Sequence, residues 1–375
     1  MTKGLQESTA DNQAEYPCSQ CGALLKYRPG SRSISCGHCG HENEIAQASK
    51  PVVEHDLNQA LQRAKNEHQV EESITVKCEA CAAEYSFAAN EHAGSCPFCG
   101  TDSVADTSRS KQIKPDALLP FAVTKEQAAS AMQRWLKGLW FAPSKLARFA
   151  RGSGDFTGIY LPYWTFDSDT QTVYRGQRGT NYYVKVPHTK MVDGKRISTT
   201  RTEVRVKWKS VRGSVSRFFD DVLVPGSHSL PRKTLDRVGA WDLSALESYQ
   251  KEFLVGFRAE SYQVGVDDAF VQAQDIMSSV IYNDIRHDIG GDHQRIEAAD
   301  TEHSDTSFKH VLLPLWLSAF QFKGKSYRLA VNGRNGEVSG ERPYSGWKIF
   351  FAVLLALIVL TVVGVTVVAI DQGGF

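Results

Sequence analysis

The chain has no apolar segment near its start and no cysteine outside one short region. Its first seventeen residues, MTKGLQESTADNQAEYP, contain no apolar run after the first lysine, whereas a secretory signal peptide requires one. We therefore expect the soluble part to remain in the cytosol. All eight cysteines lie between Cys18 and Cys99, and cytosolic thiols are kept reduced, so this clustering favours metal ligands over disulfides.

The sequence also lacks the motifs of common hydrolases and helicases. It contains no H-E-x-x-H, no G-x-S-x-G and no DExH-type string. Residues 319–326, AFQFKGKS, resemble a phosphate-binding loop, but alanine replaces the first glycine and a strand-like segment follows, which predicts a hairpin turn. Residues 284–293 combine carboxylates and imidazoles without a second ligand cluster, so we interpret them as a capped, solvent-facing helix end. We expect no enzymatic activity.

There is no overall excess of charge, but the middle of the chain is strongly divided. The formal net charge is +1 and 23% of the residues are charged, which is typical of a globular protein that is neither disordered nor globally basic. Residues 171–217 hold twelve Lys or Arg against two acids, whereas residues 236–305 hold five against fifteen. A basic segment is therefore followed by an acidic one.

The cysteines form two groups with the same spacing. In each group two C-x2-C pairs are separated by fourteen residues, and the second group repeats the first at an offset of sixty. Two such pairs supply the four thiolates of a closed tetrahedral site, with Zn–S distances of about 2.3 Å, so we predict two structural Zn²⁺ sites. The predicted ligands are Cys18, Cys21, Cys36 and Cys39 for the first site and Cys78, Cys81, Cys96 and Cys99 for the second.

The cysteines have two interpretations other than zinc, which are an iron site and a set of reduced core residues. A rubredoxin-like iron site uses the same four sulfurs, so iron is the alternative metal. Reduced core cysteines would need an apolar core, and these short polar segments have few residues to form one without a metal. His38, His41 and His92 are expected to lie outside both ligand sets, because each group already supplies four thiolates.

The remaining patterns predict an α+β fold with a largely antiparallel sheet. Thr124 to Gln127 forms a capping box ahead of an amphipathic helix, residues 267–287 predict a second helix, and residues 204–209 alternate as in a strand. The strings YLPYW (160–164) and LLPLW (312–316) hint at a duplicated half-domain. We divide the chain into a disordered N-terminus (1–15), zinc ribbon 1 (16–45), a linker with a short helix (46–74), zinc ribbon 2 (75–101), a linker (102–117), an α+β domain (118–346), a transmembrane helix (347–370) and an exterior tail (371–375).

One predicted strand has a basic face. Because side chains alternate along a strand, the basic face, which also carries Glu203, lies opposite an apolar face that includes Val204, Val206 and Trp208. Solvent exposure is the simplest interpretation, attraction to anionic lipid is the next, and nucleic acid is the third, because the basic face carries no aromatic residue. The basic residues are Arg201, Arg205, Lys207 and Lys209.

A C-terminal apolar segment predicts a membrane anchor. Residues 349–370 include no charge over twenty-two residues, and a helix of that length spans about 33 Å, enough for the hydrocarbon core of a bilayer. Arg342 and Lys348 precede the segment, so the positive-inside rule places the body in the cytosol and the tail outside. Tyr344 and Trp347 lie where interfacial aromatic residues are expected. The sequence thus predicts a single-pass protein of the cytoplasmic membrane.

Several long strings between residues 118 and 349 carry a resemblance. They are RWLKGLWFAPSKL (134–146), GIYLPYWTFDSDT (158–170), YRGQRGTNYY (174–183), FFDDVLVPGSHSLP (218–231), FLVGFRAESYQVG (253–265), DIGGDHQRI (288–296) and the segment from FKHVLLPLW to GERPYSGWKI (308–349). In these the chain resembles a bacterial family of membrane-anchored zinc-ribbon proteins, often labelled primosomal protein N′ (replication factor Y) or superfamily II helicase-like. The resemblance implies an envelope-stress scaffold associated with phage-shock protein A and flotillin-like SPFH proteins, and it implies no catalytic residue.

Two functional hypotheses follow. The first is a non-catalytic membrane scaffold whose zinc ribbons recruit cytosolic or membrane proteins to the cytoplasmic membrane. The second is a nucleic-acid module in which the ribbons and residues 171–217 bind DNA or RNA, in keeping with the primosomal label. The first hypothesis predicts that protein partners co-purify with the detergent-solubilised chain, and the second predicts that nucleic acid does.

Overall fold

The structure, a computed structural model, describes residues 16–47, 51–64, 71–78, 83–85, 93–98, 102–104, 107–143, 146, 156–192, 195–322 and 325–373. The helices are α1 Leu57–Ala64, α2 Lys125–Lys137, α3 Arg232–Arg237, α4 Val266–Ile289 and α5 Gly346–Gly373. The strands are β1 Leu25–Tyr27, β2 Ser33–Cys36, β3 Glu42–Glu44, β4 His55–Asp56, β5 Glu71–Lys77, β6 Glu84–Tyr85, β7 Ala93–Ser95, β8 Asp102–Val104, β9 Thr107–Gln112, β10 Ala117–Leu118, β11 Thr157–Val192, β12 Lys195–Pro225, β13 Glu247–Ser248, β14 Arg258–Ala259, β15 His293–Phe322, β16 Lys325–Asn332 and β17 Val338–Gly340.

The fold is α+β, as predicted, and most of its strand pairs are antiparallel. Among the described residues, β10–β15 and β11–β14 pair in parallel and the other strand pairs are antiparallel. The main sheet follows the order β12–β11–β15–β10–β13, and small separate sheets are formed by β1–β2–β3, β6–β5–β9 and β7–β8. The cysteine-bearing segments thus build their own sheets beside a larger one.

Three strands of the main sheet are unusually long. β11 has 36 residues, β12 has 31 and β15 has 30, and at about 3.3 Å per residue β11 reaches on the order of 100 Å. The β11–β15 pairing stops at Gly179, whereas the β11–β12 pairing continues to Val192. Beyond Gly179 the hairpin is therefore a two-stranded ribbon, residues 180–192 and 195–207, which we call the arm.

Helix α4 covers one face of the three-stranded part of this sheet. Its buried side chains recur every four residues, as a helix with one packed face requires, and they include Ala269, Ala273, Met277, Ile281 and Ile285. The helix ends at Gly290, which has a left-handed φ of 64°. The prediction of a helix over residues 267–287 is confirmed.

Side chains of β11 and β12 hold the C-terminal end of α4. Arg217 donates to both carboxylate oxygens of Asp284, at 2.6 and 2.7 Å, and Tyr174 donates its hydroxyl to Asp288. The Arg178 guanidinium donates to the carbonyl of Ile289, where a cation also complements the helix dipole. The acidic residues of this helix end therefore have partners within the fold, in agreement with the interpretation of a capped helix end.

The base of the main sheet is rich in aromatic contacts. Phe121 stacks on Phe257 at 4.2 Å between ring centroids and meets Tyr160 and Trp316 edge-on, at 5.1 Å each. A Cβ at Gly158 would lie 2.4 Å from the Phe257 ring, so only glycine allows this approach. The main sheet and the helices α2, α3 and α4 form what we call the body, and its core is thus centred where β11 begins and β15 ends.

The two similar strings noted in the sequence are neighbours in this core. Tyr160 pairs with Pro314 and Leu161 pairs with Leu313, so residues 160–164 and 312–316 run antiparallel side by side. Each string contributes buried side chains to the same sheet, and this shared environment accounts for their similar composition. A duplicated half-domain stays a prediction.

Several segments predicted as linkers carry structure. The range 46–74 contains β4, which pairs with β15, and the α1 residue Leu57, which is buried in the same apolar cluster as the packed face of α4. The range 102–117 contains β8, β9 and β10, and β9 pairs with β5 over residues 107–112 and 71–76. Polar side chains suggested a linker, but edge strands tolerate polar residues because backbone hydrogen bonds hold them.

The hairpin prediction for residues 319–326 is confirmed. β15 runs through the first of these residues to Phe322, and β16 begins at Lys325, directly opposite Phe322 in the pairing. A phosphate-binding loop would lead into a helix, whereas here the chain returns as a strand. The described part of the segment is therefore two antiparallel strands, and residues 323–324 between them lie outside the described residues.

Helix α5 is long and apolar enough to span a membrane. The most apolar window within its residues 346–365 has a mean hydropathy of 2.7, and none of that window is buried against the rest of the chain. The helix continues to Gly373, so residues 371–373 of the predicted exterior tail are helical, and the predicted disordered segment 1–15 lies outside the described residues.

A carboxyl group is buried where β14 ends. The Glu260 side chain is 4% exposed, and its Oε1 accepts hydrogen bonds from Ser227 Oγ, at 2.6 Å, and from Ser229 Oγ. Burial raises the pKa of Glu260 to about 8, although both hydroxyl groups favour the ionised form. Glu260 therefore keeps its proton in the folded protein at neutral pH.

Replacing Glu260 with Gln is expected to reduce the pH dependence of stability. Between about pH 4.5, where an unfolded Glu ionises, and the raised folded value, the native state binds more protons, so stability falls by up to about 1.4 kcal/mol per pH unit. Glutamine cannot ionise, so E260Q should gain about 2–4 kcal/mol on the wild type between about pH 5 and pH 8. Urea denaturation of the detergent-solubilised protein measures this, with the exposed Glu337→Gln as control. An equal pH response in E260Q and wild type would contradict the assignment.

Candidate metal centre

Two similar turns bring the first four cysteines to one end of the β1–β2–β3 sheet. The segments CSQCG and CGHCG each end on a glycine with left-handed φ, 74° at Gly22 and 75° at Gly40. The amide of Gly22 donates to Cys18 O at 2.9 Å, and that of Gly40 donates to Cys36 O at 3.0 Å. Glycine adopts this conformation without strain, so each glycine fixes the turn that carries its cysteine pair.

The four sulfur atoms lie close enough to share one ion. Cys18 Sγ is 3.5 Å from Cys39 Sγ, and Cys21 Sγ is 3.5 Å from Cys36 Sγ. All four sulfurs lie within 4.8 Å of one another, and tetrahedral Zn–S bonds of about 2.3 Å imply sulfur separations of about 3.8 Å. The donor set and its geometry therefore fit Zn²⁺ with no position left for water or substrate.

Backbone amides prepare the sulfurs to carry negative charge. The N–H groups of Cys39 and His38 point at the Cys36 sulfur and lower the pKa of that thiol to about 6. At Cys21 a bond from the Ala23 amide acts in the same direction, but the neighbouring sulfurs of Cys36 and Cys39 outweigh it and raise the pKa to about 12. Four thiols at such distances cannot all ionise on their own, so a bound cation is what allows all four to become thiolates.

The histidines of this segment stand outside the sulfur cluster. His41 Nε2 lies 3.2 Å from Ser19 Oγ, and His38 is exposed. His92, close to the second cysteine group, lies outside the described residues. The first site is therefore built from four sulfurs, as the spacing predicted.

The metal centre is attached to the core of the body. Tyr27 packs edge-on against Phe253 with ring centroids 5.2 Å apart, and its hydroxyl donates to Ser31 O at 2.8 Å and to Phe121 O at 3.2 Å. The Gly30 amide also donates to Phe121 O, at 2.8 Å. Its buried apolar residues belong to the same core cluster as Phe121; they are Leu25, Tyr27, Ile34 and Ile45. Loss of the metal would therefore disturb the body as well as zinc ribbon 1.

The second cysteine group repeats the backbone of the first. β2 and β3 pair through Ser33↔Glu44, and β7 and β8 pair through Ala93↔Val104, which is the same register at an offset of sixty. The Cys18 amide donates to Ala23 O at 2.8 Å, and the Cys78 amide donates to Ala83 O at 2.9 Å. Cys78 and Cys96 are both 1% exposed, whereas Cys81 and Cys99 lie outside the described residues.

A buried lysine lies among acidic residues in the main sheet. Lys309 Nζ is 2.8 Å from Asp221 Oδ1 and 3.0 Å from Glu54 Oε1, and Asp167 lies 3.9 Å away. Burial favours the neutral amine, but the bonds to Asp221 and Glu54 outweigh burial and raise the pKa of Lys309. The ammonium group of Lys309 is therefore the positive charge among these three carboxylates. This cluster was not predictable from the sequence, because its members are far apart along the chain.

Three of the four basic residues singled out in the sequence lie in the arm, and Lys209 lies just outside it, opposite Arg178 of β11. All four are exposed and share one face of β12; they are Arg201, Arg205, Lys207 and Lys209. The neighbouring strand adds Tyr182 directly opposite Arg205, and Tyr182 is 45% exposed. The basic face thus includes an aromatic side chain that reading β12 alone missed.

The opposite face of the arm is more open than predicted. Val204 was assigned to the apolar face of the predicted strand. It is nevertheless 57% exposed, because no third strand or helix covers the arm at that point of the described structure. Trp208, nearer the body, is half-buried, and the Arg295 guanidinium lies 4.0 Å from its ring centroid. This face of the hairpin is therefore covered only near the body, by β15 and by the cation–π contact between Arg295 and Trp208.

Comparison with known proteins supports the first centre directly. Residues 18–41 match the model of the LSD1 zinc finger family. The first cysteine cluster is therefore similar to an LSD1-type zinc finger. The match begins at Cys18 and includes all four sulfurs of the site, so it agrees with the geometry of the zinc finger.

Most of the chain is similar to one bacterial protein. It is 24% identical over 338 residues to a Bacillus subtilis (strain 168) protein described as "Uncharacterized protein YdjG", covering 89% of this chain and 91% of that protein. No solved structure matches the chain. The comparisons therefore support zinc binding and leave the primosomal and phage-shock connections without support of their own.

Proposed function

We propose that this protein is a non-catalytic, zinc-dependent adaptor that holds partner proteins at the cytoplasmic membrane. The observation that carries the proposal is a closed four-sulfur finger in the same chain as an exposed helix long enough to span a bilayer. A site with four thiolate ligands has no open position for substrate, so its zinc stabilises a binding surface and performs no chemistry. The apolar helix supplies attachment, and the body presents the surface.

A second zinc ion is part of the proposal. Zn²⁺ bound by Cys78, Cys81, Cys96 and Cys99 would complete the repeat. The matching registers of β2–β3 and β7–β8 and the burial of Cys78 and Cys96 support it. Because the two groups share spacing and pairing, we expect zinc rather than iron in both.

The proposed orientation places the body in the cytosol. Arg342 and Lys348 precede the apolar part of α5, whereas Asp371 follows it, and the positive-inside rule assigns the basic flank to the cytoplasmic side. The zinc centre, with its reduced thiols, is compatible with that compartment. Partners of the proposed adaptor are therefore cytosolic proteins or other membrane proteins.

The resemblance noted in the sequence suggests which partners to test first. Purified phage-shock protein A, or an SPFH protein, should float with liposomes that contain this chain. Replacing Cys18 and Cys21 with Ser should weaken this binding by at least about tenfold, or 1.4 kcal/mol, because it removes two of the four ligands that shape the finger. His41→Gln, which leaves all four sulfurs in place, serves as the matched control. Equal flotation with the cysteine variant would contradict a role of the finger in recruitment.

Nucleic-acid binding remains the second candidate because of one observation. Tyr182 lies beside Arg205 on the exposed basic face of the arm, and an aromatic ring among cations is a platform for stacked bases. In that case nucleic acid should co-purify with the detergent-solubilised protein and dissociate steeply with salt. The triple change Arg201→Gln, Arg205→Gln and Lys207→Gln should abolish it. Co-purification that is lost in this variant, without recruited protein, would replace the adaptor by the nucleic-acid module.

A further inference from the structure

The loop after α2 carries two large exposed aromatic side chains. Trp140 is 79% exposed and Phe141 is 40% exposed, next to each other in the segment that follows the helix cap Gly138. The following residue, Ala142, is 5% exposed and belongs to the core of the body. The root of the loop is therefore fixed, while its two largest apolar side chains project outward.

The same loop is bonded to the start of α5. The Ser345 amide donates to Phe141 O at 2.7 Å. Lys348 Nζ donates to Trp140 O at 3.2 Å and to Ala142 O at 2.9 Å. Three hydrogen bonds thus join a loop of the body to the first turn of a helix about 200 residues later in the chain.

This junction fixes the level of the two aromatic residues along α5. Trp347 lies between Ser345, which precedes α5, and Lys348; it is 74% exposed and stacks on Phe351 with ring centroids 6.1 Å apart. Tryptophan and tyrosine concentrate at the level of the lipid headgroups, where one part of the ring is apolar and another is polar. Trp140 and Phe141 lie beside this part of α5, so the medium that surrounds the start of α5, lipid or water, also contacts these two side chains.

We propose that Trp140 and Phe141 insert into the headgroup region of the bilayer beside α5, as a second contact between the body and the lipid surface. The inference rests on the proposed membrane attachment and adds to it a defined orientation of the body. A single helix leaves the body free to rotate and tilt about one point, whereas a second contact held by Lys348 and Ser345 restricts it. In this arrangement the ammonium group of Lys348 links the loop after α2 to α5.

The test uses the full chain in phospholipid vesicles and the fluorescence of one tryptophan. Emission from Trp140 is obtained as the difference between wild type and Trp140→Phe, a change that keeps an apolar ring. Lipids brominated near the headgroup end of their acyl chains should reduce that emission by about twofold or more, because an interfacial ring lies at this depth. Iodide in the surrounding water should have little effect on it.

The control is Trp241→Phe, because Trp241 is half-buried against Tyr163 in the body, at 6.5 Å between ring centroids. Emission from Trp241 should be insensitive to brominated lipid. If the protein floats with the vesicles but Trp140 emission responds to iodide and not to brominated lipid, the second contact is absent although the attachment stands. Emission shielded from both reagents would mean that protein covers the loop, which also overturns the inference. A chain that fails to float would overturn the attachment together with the contact.

Discussion

Replacing Cys36 with Ser is expected to remove about one zinc ion per chain and to unfold the finger. The binding free energy of a structural zinc site is of the order of 10–16 kcal/mol at neutral pH and is at the same time folding free energy. Cys36 is 3% exposed and its sulfur lies 3.5 Å from that of Cys21, so serine would leave a weaker three-sulfur site inside a packed turn. Metal analysis and amide hydrogen exchange over residues 16–45 measure the two effects.

The loss should extend beyond the finger, because its strands are bonded to the body. The Tyr27 amide donates to Val255 O at 2.9 Å, and the Tyr27 ring packs on Phe253. We therefore expect faster exchange around residues 251–257 in the same variant. His41→Gln, beside the cluster but not part of it, should leave zinc content and exchange unchanged.

The same measurement separates the two metal sites and the two metals. Cys96→Ser should remove a second ion independently of the first, so the double variant should contain about none. Iron in place of zinc would be visible as coloured protein and in the metal analysis. Unchanged zinc content in Cys36→Ser would show that the four sulfurs do not form the site.

Features that depend on neighbouring residues were predictable from the sequence. Thr124 and Gln127 form the predicted capping box, with Gln127 Oε1 accepting from the Thr124 amide at 2.8 Å and Thr124 Oγ1 accepting from the Gln127 amide at 3.3 Å. α4 also follows from its apolar period, because a packed helix face repeats within a few residues. The first zinc finger could be predicted for the same reason, since its ligand spacing is visible in 22 residues, from Cys18 to Cys39.

Features that depend on distant pairs were not predictable in this way. Alternation over residues 204–209 indicates a strand, but the 31-residue length of β12 arises from its pairing with β11. Tyr182 joins the basic face only through that register, and a shift by one residue would move it to the other face. Glu260 is an ordinary acid in the sequence, and its raised pKa depends on burial among residues that are brought there by the fold.

Placing two arginines in α5 is expected to release the protein from the membrane. Residues 346–365 contain thirteen Leu, Ile, Phe or Val, which together favour insertion by about 4–8 kcal/mol, whereas each central arginine costs about 2.5–3.5 kcal/mol. Leu357→Arg with Leu360→Arg therefore cancels most of the driving force. Both side chains are exposed, at 55% and 67%, so the change leaves the core of the body intact.

Flotation on a density gradient and extraction with alkaline carbonate measure the release, with Leu357→Ala and Leu360→Ala as the matched control that should stay in the membrane.

The direction of insertion is tested by an epitope tag after Phe375. Antibody should reach this tag from outside intact spheroplasts, whereas it should not reach the finger. Arg342 and Lys348 lie at the other end of α5, and we expect the cost of moving such charges across the bilayer to set this direction. A double arginine variant that remains resistant to carbonate would mean that the body itself holds the lipid. Because Trp140 and Phe141 are bonded to the first turn of α5, their contact alone should give binding that carbonate reverses.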